Sequence, residues 1–179
     1  MSKELIKDAM AALGEWMQRE GLPAFDTRAA VCDAAMRLHD SEIEVALAYW
    51  FDGRNRLICV DEVARGGETE ATISSRHIAR RAALASAEMG VVVHNHPYSG
   101  DPTPSEADKA MADRIDQRLS ALGVLCLGHH VVARGGFADI RTGHIVRFDE
   151  LAERSAPTEH RCPTCRQGWP EPAAEGEQP

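Results

Sequence analysis

Residues 91–108 read VVVHNHPYSGDPTPSEAD, and the interpretation of the whole chain starts from this stretch. Three valines favour a short strand, and two histidines follow them with a single residue between. Side chains two positions apart on a strand project from the same face, so the imidazoles of His94 and His96 can reach one point. The spacing therefore predicts a metal-binding pair at the end of this strand.

Asp108 is a third candidate ligand. The loop from Pro97 to Pro104 is too rich in proline and glycine to be regular, and a helix is predicted to follow it as far as Gly123. Two histidines and an aspartate suit zinc and leave a fourth tetrahedral position for water, as in catalytic zinc sites. Ser105 and Asp108 also have the spacing of a capping box, so helix capping is an alternative explanation of this aspartate.

Helical and strand patterns alternate through the rest of the chain. In chain order the predicted elements are a helix at 5–17, a helix from Asp26 or Thr27 to about Asp40, a hairpin of strands 43–51 and 57–63, a helix from Ser74 or Ser75 to Gly90, the strand 91–93, the helix ending at Gly123, and strands 124–133 and 137–146. This order predicts an α/β or mixed α+β fold, with helices packed against a mixed sheet.

Composition narrows the classes of function. The net charge of -8 over 179 residues argues against a large non-specific nucleic-acid surface. No apolar run is long enough to span a bilayer, and the first residues do not resemble a secretory signal, so a cytoplasmic protein without a membrane partner is expected. The five cysteines are expected to be reduced. Cys126, His129 and His130 are interpreted as structural residues.

The run from His94 to Asp108 resembles the motif of the JAMM (JAB/MPN-domain) metalloproteases, most closely that of their RadC-like branch. The likeness extends from about Glu42 to Arg141. It implies a JAB/MPN-like, cytidine-deaminase-like mixed sheet flanked by helices. It also implies one catalytic Zn2+ held by His94, His96 and Asp108.

Two catalytic side chains are implied by the same resemblance. Glu44, at the head of the first strand, would activate the water, and Ser105 would help to stabilise the oxyanion. A carboxylate is expected on chemical grounds too, because a base must take a proton from the water and pass it to the leaving amine. Glu42 shares the predicted strand face and is the rival base. Tyr98 is an extra residue relative to the RadC-like pattern, and an insertion there can shift Ser105.

Three segments are predicted: an N-terminal helical segment packed on the core at 1–40, a JAB/MPN (RadC-like) metalloprotease domain at 41–153, and a flexible tail with a CxxC pair at 154–179. His160, Cys162 and Cys165 form half of a zinc-knuckle pattern, which leaves a second, structural metal and a reduced Cys pair as alternatives. RadC proteins generally carry a helix-hairpin-helix region at their amino end, and residues 1–40 do not match it. Nucleic acid is therefore not expected as a partner.

The leading functional hypothesis is a zinc-dependent metallopeptidase or isopeptidase. It would hydrolyse an amide bond at or near the C-terminus of a protein substrate, such as a ubiquitin-like modifier, in deconjugation or precursor processing. The alternative is a non-catalytic RadC-like binding module in DNA repair or mobile-element maintenance, with zinc serving only structure. The glutamate, the serine and the open zinc position favour hydrolysis, whereas the substrate's identity and the oligomeric state stay open.

Overall fold

The computed structural model describes residues 27–38, 41–66, 73–97 and 100–150, which form three helices and six strands. In chain order these are α1 (Thr27–Leu38), β1 (Val45–Phe51), β2 (Leu57–Arg65), α2 (Ser75–Leu84), β3 (Met89–Asn95), α3 (Glu106–Ala121), β4 (Leu125–Ala133), β5 (Gly136–Asp139) and β6 (Ile145–Arg147). The predicted first helix, Tyr98 and the tail with its Cys pair lie outside the described residues.

The six strands form one mixed sheet in the order β2-β1-β3-β4-β5-β6. β3 and β4 run parallel, and every other neighbouring pair is antiparallel. The parallel pair requires a crossover connection, which the loop after β3 and helix α3 provide. This topology confirms the predicted mixed α+β fold, and it brings the end of β3 close to the start of α3.

Helices cover both faces of the sheet. β1 alternates between two hydrophobic clusters: Leu47 and Tyr49 pack towards α1, whereas Ala48 and Trp50 pack towards α2 and α3. Because both of its faces are covered, all seven residues of β1 are buried. The predicted stripe of α1 is buried as well, at Val31, Ala34, Ala35 and Leu38.

The prediction for the helix before the valine strand is wrong at its carboxyl end. Helix α2 ends at Leu84, and Met89 and Gly90 already belong to β3. Gly90 is needed for packing and does not stop a helix, because a Cβ atom there would lie 2.5 Å from a ring carbon of the buried Trp50. The tight turn after α2 includes Ser86 at a positive φ of 51°.

The strand predicted at 137–146 is divided into β5 and β6. Between them the Asp139 carboxylate accepts hydrogen bonds from the backbone N–H groups of Arg141 and Thr142, which stabilises a turn. The end of α3 also differs in detail, because Leu122 caps the helix and is 50% exposed instead of lying in its buried stripe.

Candidate metal centre

His94 and His96 lie at the carboxyl end of β3. His94 is the sixth residue of the strand and is fully buried, and His96 follows the strand directly. The backbone N–H of His96 donates to the carbonyl of Val132 at 2.9 Å, which holds this residue beside β4. The two rings lie edge to face with centroids 5.3 Å apart, so the histidines are brought together as predicted.

Asp108, in the first turn of α3, faces both rings. His94 Nε2 lies 3.1 Å from Asp108 Oδ1, and His96 Nε2 lies 3.5 Å from Asp108 Oδ2. A tetrahedral zinc site with bonds of about 2.0–2.1 Å has ligand-to-ligand separations of about 3.3–3.4 Å. The ligand atoms of the three side chains lie within 4.8 Å of one another, close enough to share one cation.

His94 provides the test of whether these residues fit a metal ion. Within the described residues neither of its buried ring nitrogens has a hydrogen-bond partner, although Nε2 is close to Asp108. A buried nitrogen without a partner is unfavourable, whereas a cation bound at Nε2 satisfies it. The donor set of two imidazoles and one carboxylate is one that zinc prefers, so the residues fit the ion.

A backbone carbonyl orients the ring of His96 through its Nδ1 atom. Its Nδ1 lies 3.3 Å from the carbonyl oxygen of Asp101. A carbonyl can only accept, so Nδ1 carries a proton and Nε2 is the nitrogen left for a metal. The Asp108 carboxylate raises the pKa of His96 above its ordinary value, against the effect of burial, and Glu44 contributes a smaller increase.

Ser105 and Asp108 form the predicted capping box. The Ser105 hydroxyl accepts from the Asp108 N–H at 3.2 Å, and Asp108 Oδ2 accepts from the Ser105 N–H at 2.7 Å. The hydroxyl also donates to Oδ2 at 2.6 Å. Burial disfavours the charged form of Asp108, but His94, His96 and Ser105 outweigh it and hold its pKa well below the usual range. Asp108 is therefore an anion before any metal binds.

Glu44 immediately precedes β1. The pairing of Ala46 with His94, extended by two residues, places Glu44 opposite His96 on the same face of the sheet. Its carbonyl accepts a hydrogen bond from the N–H of Gly66 at 2.7 Å. Glu42 lies farther out, in a bend, and is exposed. The register therefore places the backbone of Glu44 beside that of His96, at the edge of the centre.

Asn95 fixes the backbone on both sides of Glu44. Its Oδ1 accepts from the N–H of Val45 at 2.7 Å, and its Nδ2 donates to the carbonyl of Ile43 at 3.1 Å. The side chain is buried between the two strand ends. Asn95 stands between the two histidines in the sequence, but no local pattern predicts its role, because its two partners lie 50 and 52 residues earlier in the chain.

A family model for the RadC-like JAB domain matches residues 25–144. This match covers more than half of the chain and includes every residue of the centre described above. The chain belongs to the RadC-like JAB domain family.

Curated relatives support the assignment to the RadC-like JAB family. A UPF0758 protein of Stenotrophomonas maltophilia is 40% identical over 99 residues, which are 55% of this chain and 42% of the relative. A UPF0758 protein of Rhodobacter capsulatus is 37% identical over 119 residues, covering 66% of this chain and 54% of the relative. A UPF0758 protein of Xanthomonas euvesicatoria is 35% identical over 133 residues, which cover 70% of this chain and 59% of the relative. The chain thus spans about half the length of the curated relatives it matches.

The wider JAB-domain family includes hydrolases. In the described part of this RadC-like chain, no helix is both long and apolar enough to cross a bilayer. His160, Cys162 and Cys165, the predicted second metal group, lie outside the described residues. A different second group is present on α3 and β4, where Asp116, Cys126 and His129 come together.

Proposed function

We propose that this chain is a zinc-dependent hydrolase that cleaves a peptide or isopeptide bond at or near the C-terminus of a protein. The observation that carries the proposal is the convergence of His94, His96 and Asp108, with Glu44 opposite His96 in the extended register of β1 and β3. Membership of the RadC-like JAB family supports it.

Three residues would hold Zn2+: His94 and His96 through Nε2, and Asp108 through its carboxylate. When bound, zinc acts as a Lewis acid that acidifies water and polarises a carbonyl. Glu44 accepts the proton of the attacking water and returns it to the leaving amine. The Asn95 side chain and the Gly66 N–H bind the backbone at and beside Glu44, so the segment that carries the base is fixed before the substrate arrives.

Ser105 is proposed to assist the oxyanion by donating a hydrogen bond from its hydroxyl. In the structure this proton is donated to Asp108 Oδ2. The hydroxyl must rotate to reach a substrate, while its backbone N–H keeps Asp108 in place. Ser105 therefore has two separable parts: a backbone group that orients the ligand and a hydroxyl that serves the reaction.

The proposed substrate is a ubiquitin-like protein, because its extended C-terminal segment can reach a recessed centre. A shallow cleft opens beside His96. It is lined by Leu38, Val132 and Arg134, and His96 forms part of its wall. Apolar walls and one guanidinium suit an extended peptide that presents apolar side chains and backbone carbonyls. The proposed location is cytoplasmic.

The test measures zinc content and cleavage together. Wild type, Glu44→Gln and the matched control Glu42→Gln are purified, their zinc stoichiometry is measured, and each is incubated with ubiquitin-like proteins carrying a C-terminal fusion. Glu44→Gln should keep its zinc and lose about 10²–10⁴-fold in cleavage rate, because it removes the general base. Glu42→Gln should cleave as wild type does.

Each outcome separates the alternatives. Equal cleavage by wild type and Glu44→Gln would exclude Glu44 as the base. Zinc bound by all three proteins with cleavage by none would favour a non-catalytic binding module of the RadC-like type. Asp108→Ala should reduce the zinc content, and full retention of zinc would leave this aspartate with helix capping alone.

A further inference from the structure

A second group of ligand-type side chains lies between α3 and β4, apart from the proposed catalytic centre. His129 Nε2 is 2.8 Å from Asp116 Oδ1 and 3.2 Å from Cys126 Sγ. Asp108 and Asp116 are eight residues apart on one helix, which separates them by about 12 Å at 1.5 Å per residue. Both aspartates lie on the face of α3 that packs on the sheet, where Asp108 is close to His94 and Asp116 is close to His129.

A bulge in β4 brings Cys126 and His129 to the same face. Residues three apart on a regular strand point in opposite directions. Here the register with β3 shifts, because Gly90 pairs with Cys126 whereas Val91 pairs with Gly128, so Leu127 is an extra residue. After this bulge, Cys126 and His129 both face α3.

The contacts of His129 favour a shared cation over a nucleophile relay. In a relay, the thiol and the carboxylate bind opposite nitrogens of the imidazole. Here Sγ and Oδ1 both approach Nε2, while Nδ1 is buried without a partner among the described residues. Without a metal, a single N–H at Nε2 can donate to Asp116 Oδ1, and the Cys126 thiol then donates to the Gly128 carbonyl at 3.7 Å. A cation located between the three groups contacts all of them.

The surrounding charges are compatible with a divalent ion. Arg141 pairs with Asp116 Oδ2, which leaves Oδ1 for the cation. Burial, followed by the neighbouring His94, lowers the pKa of His129 to about 4, so the imidazole is neutral and offers a lone pair. Burial raises the pKa of Cys126 to about 11, so the thiol must release its proton when a metal binds.

We propose that Asp116, Cys126 and His129 form a second metal site that binds a thiophilic divalent cation such as zinc. Asp116 and Cys126 are partly exposed, which leaves a route for the ion and a position for solvent as fourth ligand. The ion would tie the middle of α3 to β4 and so stabilise the helix that carries Asp108. This inference stands independently of the proposed hydrolysis.

Cobalt(II) provides the test, because a cobalt–thiolate bond gives an intense near-ultraviolet charge-transfer band and the catalytic centre contains no sulfur. The full chain carrying Cys162→Ser and Cys165→Ser is used, so that the tail thiols do not contribute. Titration with cobalt should give the thiolate band and release of a proton. Cys126→Ser should abolish the band, whereas the matched control Cys59→Ser, which alters another partly buried thiol, should retain it.

The two centres are separated by Asp108→Ala. This variant should lose cobalt from the catalytic centre and keep the full thiolate band. Absence of the band in the tail-substituted chain, or its persistence in Cys126→Ser, would overturn the second site. A band that is lost in Cys126→Ser but present in Asp108→Ala would support the second site even if no cleavage is ever observed. Circular dichroism verifies that the near-isosteric Cys126→Ser variant is folded.

Discussion

Replacing Asn95 by alanine tests how the fold holds its proposed base. The substitution removes the acceptor of the Val45 N–H and the donor to the Ile43 carbonyl. A buried backbone group that loses its partner costs about 1–3 kcal/mol. Val45 is 2% exposed and cannot turn to water, whereas the Ile43 carbonyl keeps a hydrogen bond from the Ser41 hydroxyl at 2.7 Å. We therefore expect the free energy of unfolding to fall by about 1–3 kcal/mol.

Asn95→Ala should weaken the start of β1 locally and also lower the global free energy of unfolding. Urea unfolding measures the total free energy, and amide hydrogen exchange of Val45 reports the opening of the strand end. In Asn95→Ala, Val45 should exchange faster than global unfolding alone allows. Leu119→Ala is the matched control, since this buried leucine at the far end of α3 should also cost about 2–5 kcal/mol while leaving the Asn95 bonds intact. In that variant, the amide exchange rate of Val45 should be the rate expected from the global free energy of unfolding.

Activity should respond to the same change. Zinc content should be retained in Asn95→Ala, because the three proposed ligands are untouched, but cleavage should fall by about 10²-fold if Glu44 shifts by about 1 Å. Asn95→Asp keeps an acceptor for Val45 and should recover part of the Val45 protection. A stability loss below about 0.5 kcal/mol, with unchanged exchange of Val45, would refute the proposed role of Asn95.

Three further predictions address other parts of the molecule. Ser105→Ala should destabilise the start of α3 by about 1 kcal/mol, which thermal unfolding would measure. It should also lower the rate of cleavage. Zinc analysis should show that the metal is retained, because the backbone N–H of residue 105 still binds Asp108. Burial lowers the pKa of His130 to about 4, so the unfolded chain binds a proton at a higher pH than the folded chain does. The free energy of unfolding should therefore fall by up to about 3 kcal/mol as the pH drops from about 6.5 to about 4. Urea unfolding of His130→Phe should show a shallower pH dependence. Gly90→Ala should cost about 1–3 kcal/mol, because its Cβ would overlap Trp50, and an unchanged unfolding midpoint would contradict that close packing.

Much of the fold could be predicted from local patterns. The hairpin of β1 and β2 follows from two β-favouring runs around Asp52-Gly53, and α1 follows from the apolar stripe that includes Val31 and Leu38. The predicted boundaries of helices and strands were wrong where a residue is needed for packing and not for local backbone conformation. Gly90 looks like a helix stop in the sequence, but its smallness accommodates the ring of Trp50 across two strands.

The candidate centre could be predicted only in part, because only some of its contacts follow from local spacing in the sequence. His94 and His96 share a face through a strict two-residue alternation, which a sequence shows directly. The grouping of Cys126 with His129 depends on one extra residue in β4, and the spacing of three by itself predicts opposite faces. Bulges and long-range amide contacts such as those of Asn95 leave no local pattern, so only the assembled sheet reveals them.

Capping and metal binding, which the sequence presents as alternatives for Asp108, are compatible because a carboxylate has two oxygens. Oδ2 accepts from the backbone and hydroxyl of Ser105, while Oδ1 faces His94. The capping bonds hold the carboxylate in one rotamer, and the positive end of the helix dipole favours its charged form. An anionic ligand that is already ionised and oriented loses less entropy when it binds a cation. The cap is thus part of the reason why this residue suits a metal.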